Sequence, residues 1–179
     1  MESLRGKLLI ASPALFDPNF RRTVVLVAEH GDGGAMGIVL NRPSEAGVAE
    51  AVPLLTALVA PDEPVYVGGP VQQESVVVLA EWPERERAGV IVFDAVGFMA
   101  SDDDVDRVAA ATARARVFAG SAGWSPGQLE AELEEGSWLV ERATSDDVFA
   151  TDDVWARVLR RKGGAYRVLA TMPLDPSLN

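Results

Sequence analysis

The stretch TVVLVAEHGDGGAMGIVLNRP, Thr23 to Pro43, restricts the fold of this chain more than any other. Thr23 to Glu29 is β-branched and continuously apolar, without the polar alternation of a half-buried strand. A run of this kind needs cover on both faces, which puts it inside a sheet rather than on a surface. Met36 to Leu40 reads as a second strand, stopped by Asn41-Arg42-Pro43. The five residues that join them, Gly31 to Ala35, make a loop of hairpin length. Glycines there supply the backbone conformations such turns need.

The remaining segments provide the cover. Lys7 to Ala11, Pro64 to Val67, Ser75 to Trp82, Val90 to Phe93, Arg116 to Ala119 and Ser137 to Val140 read as short strands bounded by turn residues. Tyr166 to Ala170 reads as a last one. Helices are expected over Ala46 to Val59, interrupted by Pro53, and from a Ser101 N-cap through the alanine-rich segment to Ala113. A third starts at Ser125-Pro126 with Gly136 just past its end, and a fourth is capped by Thr151 or Asp152. Helices inserted at irregular intervals among many strands favour an α+β fold. At 179 residues, without a low-complexity linker, the chain reads as one domain, 1–179.

Charge and composition narrow the chemistry. A net charge of -11 repels phosphate backbones, so nucleic acid is not the expected partner. The chain has no cysteine, which removes disulfides, thiolate catalysis and cysteine-ligated metals, and its single histidine cannot form a multi-histidine site. LLIA near the start is too short for a secretory segment, and AVPLLTALVA is too short to span a bilayer. The expected setting is the cytoplasm, away from membranes.

The glycines of the opening stretch do not form a phosphate loop. From Gly31 the sixth position is Met36, which breaks G-x-G-x-x-G, and Gly37 is followed by Ile38 rather than Lys. A helix should follow such a loop, yet MGIVL reads as strand. A turn remains. His30, beside Glu29 and near Asp32, has the surroundings of a general base, or of a histidine satisfied by a neighbour. Gly120-Ser121-Ala122-Gly123 follows a strand like a nucleophile elbow, but its histidine would precede it by far in the chain. Asp102-Asp103-Asp104 lacks the alternation of a calcium loop and suits a helix start. Arg157, Arg160, Arg161 and Lys162 form the only basic cluster, at a helix end where cations complement the dipole.

Three blocks carry a family resemblance. KLLIASPALFDPNFRRTVVLVAEHGDGGAMGIVLNRP resembles the opening of the YqgE/AlgH family, PVYVGGPV its second block, and SAGWSPGQLEAELEEGSWL its third, in the family's order from about Gly6 to Trp155. The resemblance implies an α+β fold with a bifurcated antiparallel sheet folded into a pseudo-barrel and helices around it. It also implies a bacterial cytosolic protein. It implies no reaction. One member's name comes from a proposed link to transcriptional control of alginate synthesis. Two departures stand out: Ser121 sits where the family usually has Tyr, and the ending ATMPLDPSLN lacks the usual glycine-rich finish.

The expected site gathers strand-end loops: His30, Asn41, Arg42, Gly68, Gly69 and Trp124. Arg42 offers a planar fork for an oxyanion, and the helix start after Trp124 has free N–H groups. The expected partner is a small anionic or polar ligand, and the expected role is regulation or ligand binding. No metal and no cofactor is expected, and no catalytic residue is assigned. An enzyme of hydrolytic or transfer type at the same place is the second reading. A DNA-binding regulator using the basic helix is the third.

Overall fold

The computed structural model describes residues 1–173. Ten strands form one sheet, joined by short helices. In chain order the strands are β1 (Lys7–Ala11), β2 (Val24–Gly31), β3 (Gly34–Val39), β4 (Pro43–Gly47), β5 (Pro64–Val67), β6 (Val71–Glu81), β7 (Val90–Phe93), β8 (Val96–Phe98), β9 (Arg114–Trp124) and β10 (Trp138–Arg142). The helices are α1 (Val48–Ala51), α2 (Val105–Ala111), α3 (Gln128–Glu134), α4 (Ser145–Phe149), α5 (Val154–Lys162) and α6 (Tyr166–Leu169), with a 3₁₀ helix at Pro53–Leu58. The strand order is β10-β1-β2-β3-β9-β6-β8-β7.

The sheet forks at β9. One edge of this long strand pairs with β6 over Arg114–Ala119, and again at Ser121 opposite Val71. The other edge is shared: Phe118 and Ala119 pair in parallel with β5, whereas Ala122, Gly123 and Trp124 pair with β3. The sheet therefore curls around two branches. Arg5, just before β1, donates from its guanidinium to Ala28 O of β2 at 3.0 Å and to Ile91 O of the edge strand β7 at 2.6 Å. This is a mixed α+β fold with a curled, half-barrel antiparallel sheet, as the resemblance implied.

Alternation explains why successive residues of β2 and β3 are apolar. Val24, Leu26, Ile38 and Leu40 face the central core with Leu8, Ile10, Phe118 and Trp155. Val25, Val27 and Val39 face the opposite layer with Leu129, Trp124 and Trp138. A third cluster packs Trp82, Val108 and Val117 beneath α2 and the 3₁₀ helix. Each fully buried Val or Leu contributes about 1.5–3 kcal/mol of hydrophobic stabilisation, which makes β1 to β3 the anchor of the fold.

Several boundaries differ from expectation. Gly31 pairs with Gly34, so the hairpin loop is Asp32-Gly33 rather than five residues. Gly34 adopts a φ of +114°, and a Cβ there would lie 2.2 Å from Trp124 O, so the crossing of β9 demands glycine. The helix expected over Ala46 to Val59 is a strand end, one turn of α1 and the 3₁₀ helix, because Val52-Pro53 breaks the ladder. Asp104, not Ser101, caps α2 by accepting from Arg107 N–H at 3.1 Å. Gly127, at φ +78°, delays α3 past Ser125-Pro126. Asp153 rather than Thr151 or Asp152 caps α5, accepting from Ala156 N–H at 3.0 Å. Tyr166 to Ala170 is a helical turn, not a strand, closed by bonds such as Ala170 N–H to Tyr166 O at 3.0 Å. Among the described residues no helix is long and apolar enough to cross a membrane. Of the unassigned last ten residues, 174–179 lie outside the described ones.

Candidate functional site

The β2–β3 hairpin separates the expected site into two places. His30 pairs with Ala35 at the turn, whereas Asn41 and Arg42 follow the far end of β3. Six residues of strand at about 3.3 Å each put these ends about 20 Å apart. Trp124 pairs with Ala35 and so belongs with His30. Gly69 lies with Arg42. The structure brings Asn41, Arg42 and Gly69 together and leaves His30 and Trp124 elsewhere.

At the turn, the imidazole is fully engaged. Leu4 N–H donates to His30 Nδ1 at 2.9 Å, which fixes the remaining ring proton on Nε2. Nε2–H then donates to Glu130 Oε1 at 2.7 Å. The hydrogen bond from His30 holds the Glu130 carboxyl below its ordinary range. The ring thus ties the N-terminal segment to α3. It leaves no free nitrogen to activate Ser121 or a water molecule.

Trp124 is a packing residue with a polar handle. Its indole N–H and that of Trp138 both donate to Glu132 Oε2, at 2.9 and 2.7 Å. Phe20 stacks on Trp124 and meets Trp138 edge-on, with centroids 6.3 and 5.7 Å away. Just before α3, Ser125 N–H donates to Gln128 Oε1 and Gln128 N–H to Ser125 O, both at 3.0 Å. A shallow recess at the turn is lined by His30, Gly31, Gly33 and Trp124.

The far end carries the more promising geometry. Asn41 is spent on the backbone: its Oδ1 accepts from Val24 N–H at 3.0 Å and its Nδ2 donates to Arg22 O at 2.9 Å. Arg42 donates through Nη1 to Asn19 O at 2.7 Å and through Nη2 to Arg21 O at 3.0 Å. These bonds fold the loop between β1 and β2 against the end of β3. The guanidinium is aligned by two neutral carbonyls and retains further N–H donors. Burial pulls its pKa down, and Asp17 offsets part of the effect.

A cleft of about 390 Å³ opens beside Arg42, lined by Asn19, Val39, Asn41, Pro43, Val67, Gly69, Pro70 and Gln73. No carboxylate lines it, although the chain carries 27 acidic residues. Gly69 lines it, and Gly68 beside it does not; both are held in close backbone approach. Added Cβ atoms would lie 2.4 Å from Gly120 O and 2.1 Å from Ser121 O. Gly68 also bridges the fork, accepting from Val39 N–H and donating to Ala119 O, both at 2.8 Å. The glycines are required by backbone packing, and the cleft is its by-product. Asn19 gave no sequence signal, because it reaches the cleft only once Arg42 has folded its loop.

Three of the four basic residues of α5 are committed internally, and Arg160 is exposed. Arg157 and Arg161 bind buried Asp147 at 3.0 and 2.9 Å. Arg161 and Lys162 also donate to Arg142 O and Val140 O of the edge strand β10, at 2.8 and 3.1 Å. Among the described residues, no group of three or more histidine or acidic side chains is placed to hold a metal ion.

The fold and the cleft define a half-barrel α+β protein with a polar, carboxylate-free pocket at its fork. The AlgH-like family profile matches residues 8–167, and the chain belongs to that family. A UPF0301 protein of Thermobifida fusca is 44% identical, covering 99% of this chain and 96% of its own length. A UPF0301 protein of Streptomyces coelicolor is 41% identical over 100% and 97%. The crystal structure of a Corynebacterium diphtheriae protein superposes with a TM-score of 0.89 at 30% identity, covering 96% of this chain and 93% of the other. The solution structure of the AlgH protein from Pseudomonas aeruginosa gives 0.70 at 31% identity, with coverage of 96% and 95%.

Proposed function

We propose that this protein binds a small anionic ligand in the Arg42 cleft and acts as a ligand-binding regulator. One observation carries the reading: a half-buried guanidinium, oriented by neutral carbonyls, faces a cleft without a carboxylate in a chain of net charge -11. Such a cation is undercompensated, and an oxyanion restores the balance while using the remaining N–H donors. Asn19 and Gln73 add carboxamides for polar parts of the ligand, and Val39, Val67 and Pro70 an apolar floor. No serine, histidine, lysine or acid lines the cleft, which favours binding over hydrolysis or transfer.

Thermal melts against inorganic phosphate, nucleotides, sugar phosphates and dicarboxylates test it. At least one anion should raise Tm saturably in the wild type. Arg42→Lys and Gln73→Ala should lose most of that rise, and His30→Ala should keep it. A rise induced by phosphate, a nucleotide or a sugar phosphate that survives Arg42→Lys would refute the site.

A further inference from the structure

A second cleft, independent of the first, opens on the other branch of the fork. Its floor is Ala113 and the start of β9, Arg114 to Arg116, and its walls are the end of the 3₁₀ helix with Phe149 and Thr151. It is an open groove of about 340 Å³, and most of its lining is alanine, leucine, valine and phenylalanine. The exceptions are Glu63, Arg114, Arg116 and Thr151.

Arg116 is the unusual member. Its side chain is only 4% exposed, and Nη1 donates to Val148 O and Ala150 O at 3.0 and 2.8 Å. Nη2 donates to Phe149 O at 3.0 Å. These bonds cap the last carbonyls of α4 and fix the guanidinium plane, 4.1 Å over the Tyr66 ring. They do not account for Nε–H, the one buried side-chain nitrogen or oxygen without a hydrogen bond among the described residues. Glu63 Oε1 stands 3.4 Å from it, an ion pair without a hydrogen bond, on a side chain that is 22% exposed. Arg114 is already held by Glu81 and Asp146, at 2.9 and 2.8 Å. The unmet donor belongs to Arg116 alone.

We propose that this cleft binds a short aliphatic carboxylate, which displaces the Glu63 side chain and accepts the Arg116 Nε–H, its tail lying against Ala57, Leu58 and Ala60. A carboxylate is the oxyanion that matches the side-on edge of a guanidinium, Nε and Nη2 together. An apolar tail suits walls that offer methyl groups and few polar partners. Glu63 is then a built-in competitor, holding the site closed until a better-aligned carboxylate arrives.

Propionate, with chloride at equal ionic strength as the control, is the probe. The measurements are Tm and titration calorimetry on the full chain. Wild type should show saturable stabilisation by propionate beyond chloride. Glu63→Ala removes the competitor and should tighten binding about three- to fivefold, the scale of a partly exposed ion pair. Ala60→Trp fills the cleft at an exposed position and should abolish the effect, while Arg42→Lys should leave it intact. The proposal falls if neither wild type nor Glu63→Ala responds beyond chloride. It also falls if the response survives Ala60→Trp or disappears in Arg42→Lys, which would place the anion elsewhere.

Discussion

Replacing Asp147 with asparagine removes one buried charge and turns one accepting oxygen into a donor that faces N–H groups. The carboxylate has no solvent exposure and accepts from Arg157 Nη2 at 3.0 Å, Arg161 Nη1 and Nη2 at 3.0 and 2.9 Å, and Thr144 N–H at 2.8 Å. Burial alone pushes its pKa up, but hydrogen bonds from Arg161 and Thr144 outweigh that and hold it below the ordinary carboxylate range. Removing one partner of a buried pair costs about 3–5 kcal/mol. Here Arg157 and Arg161 are 31% and 34% exposed, so water recovers part of their charge, and about 3 kcal/mol is expected. In a chain of this size that lowers Tm by about 6–12 °C. A carboxyl with a depressed folded pKa stabilises above its unfolded pKa, about 3.9, and the contribution is lost as pH falls through the folded value. Urea unfolding of wild type and Asp147→Asn at several pH values reads this directly. The gap should hold from pH 7 to about 5 and close below about pH 4. A gap under about 0.5 kcal/mol at pH 7, or one that persists undiminished at the acid end, refutes the reasoning.

Three other substitutions probe the same architecture. Glu132→Ala strands the indole N–H groups of Trp124 and Trp138 and should cost about 3–5 kcal/mol in urea unfolding, with a changed tryptophan emission. His30→Ala should cost about 1–3 kcal/mol, read by urea unfolding, and loosen the first five residues, read as faster amide exchange at Leu4. Gly69→Ala meets Ser121 backbone at 2.1 Å and a φ of +152°, so it should lose more than about 3 kcal/mol or fail to fold, read by circular dichroism.

The parts of the fold legible in the sequence are those governed by periodicity. Val24 to Val27 announced a strand buried on both faces, and alternation between two cores is what the structure shows. Gly136 announced the end of α3, and its φ of +77° with Ser137 N–H bonded to Glu132 O fulfils that role. The N-caps were misplaced by one to three residues, because runs such as Asp102-Asp103-Asp104 offer several acceptors and tertiary packing picks one. β9 spans eleven residues where the sequence marks four as strand, since Gly120, Ser121 and Gly123 look like a loop. Gly120 is required because a Cβ there would lie 2.5 Å from Gly69 O, a long-range fact with no local signature. The site shows the same limit. Arg42 stands out by residue type, but its separation from His30 depends on the hairpin register, and Asn19 joins it only through the loop that Arg42 folds.

A two-dimensional ¹H–¹⁵N NMR titration with inorganic phosphate, or with the best anion from the melts, tests the Arg42 cleft most directly. Saturable shifts should centre on Asn19, Arg42, Gly69 and Gln73 and include the Arg42 side-chain Nε–H. The amides of His30 and Glu130, at the other end of the hairpin, should not move. Shifts centred on the His30 turn, or none for any anion that stabilises the protein, would contradict the assignment of the cleft.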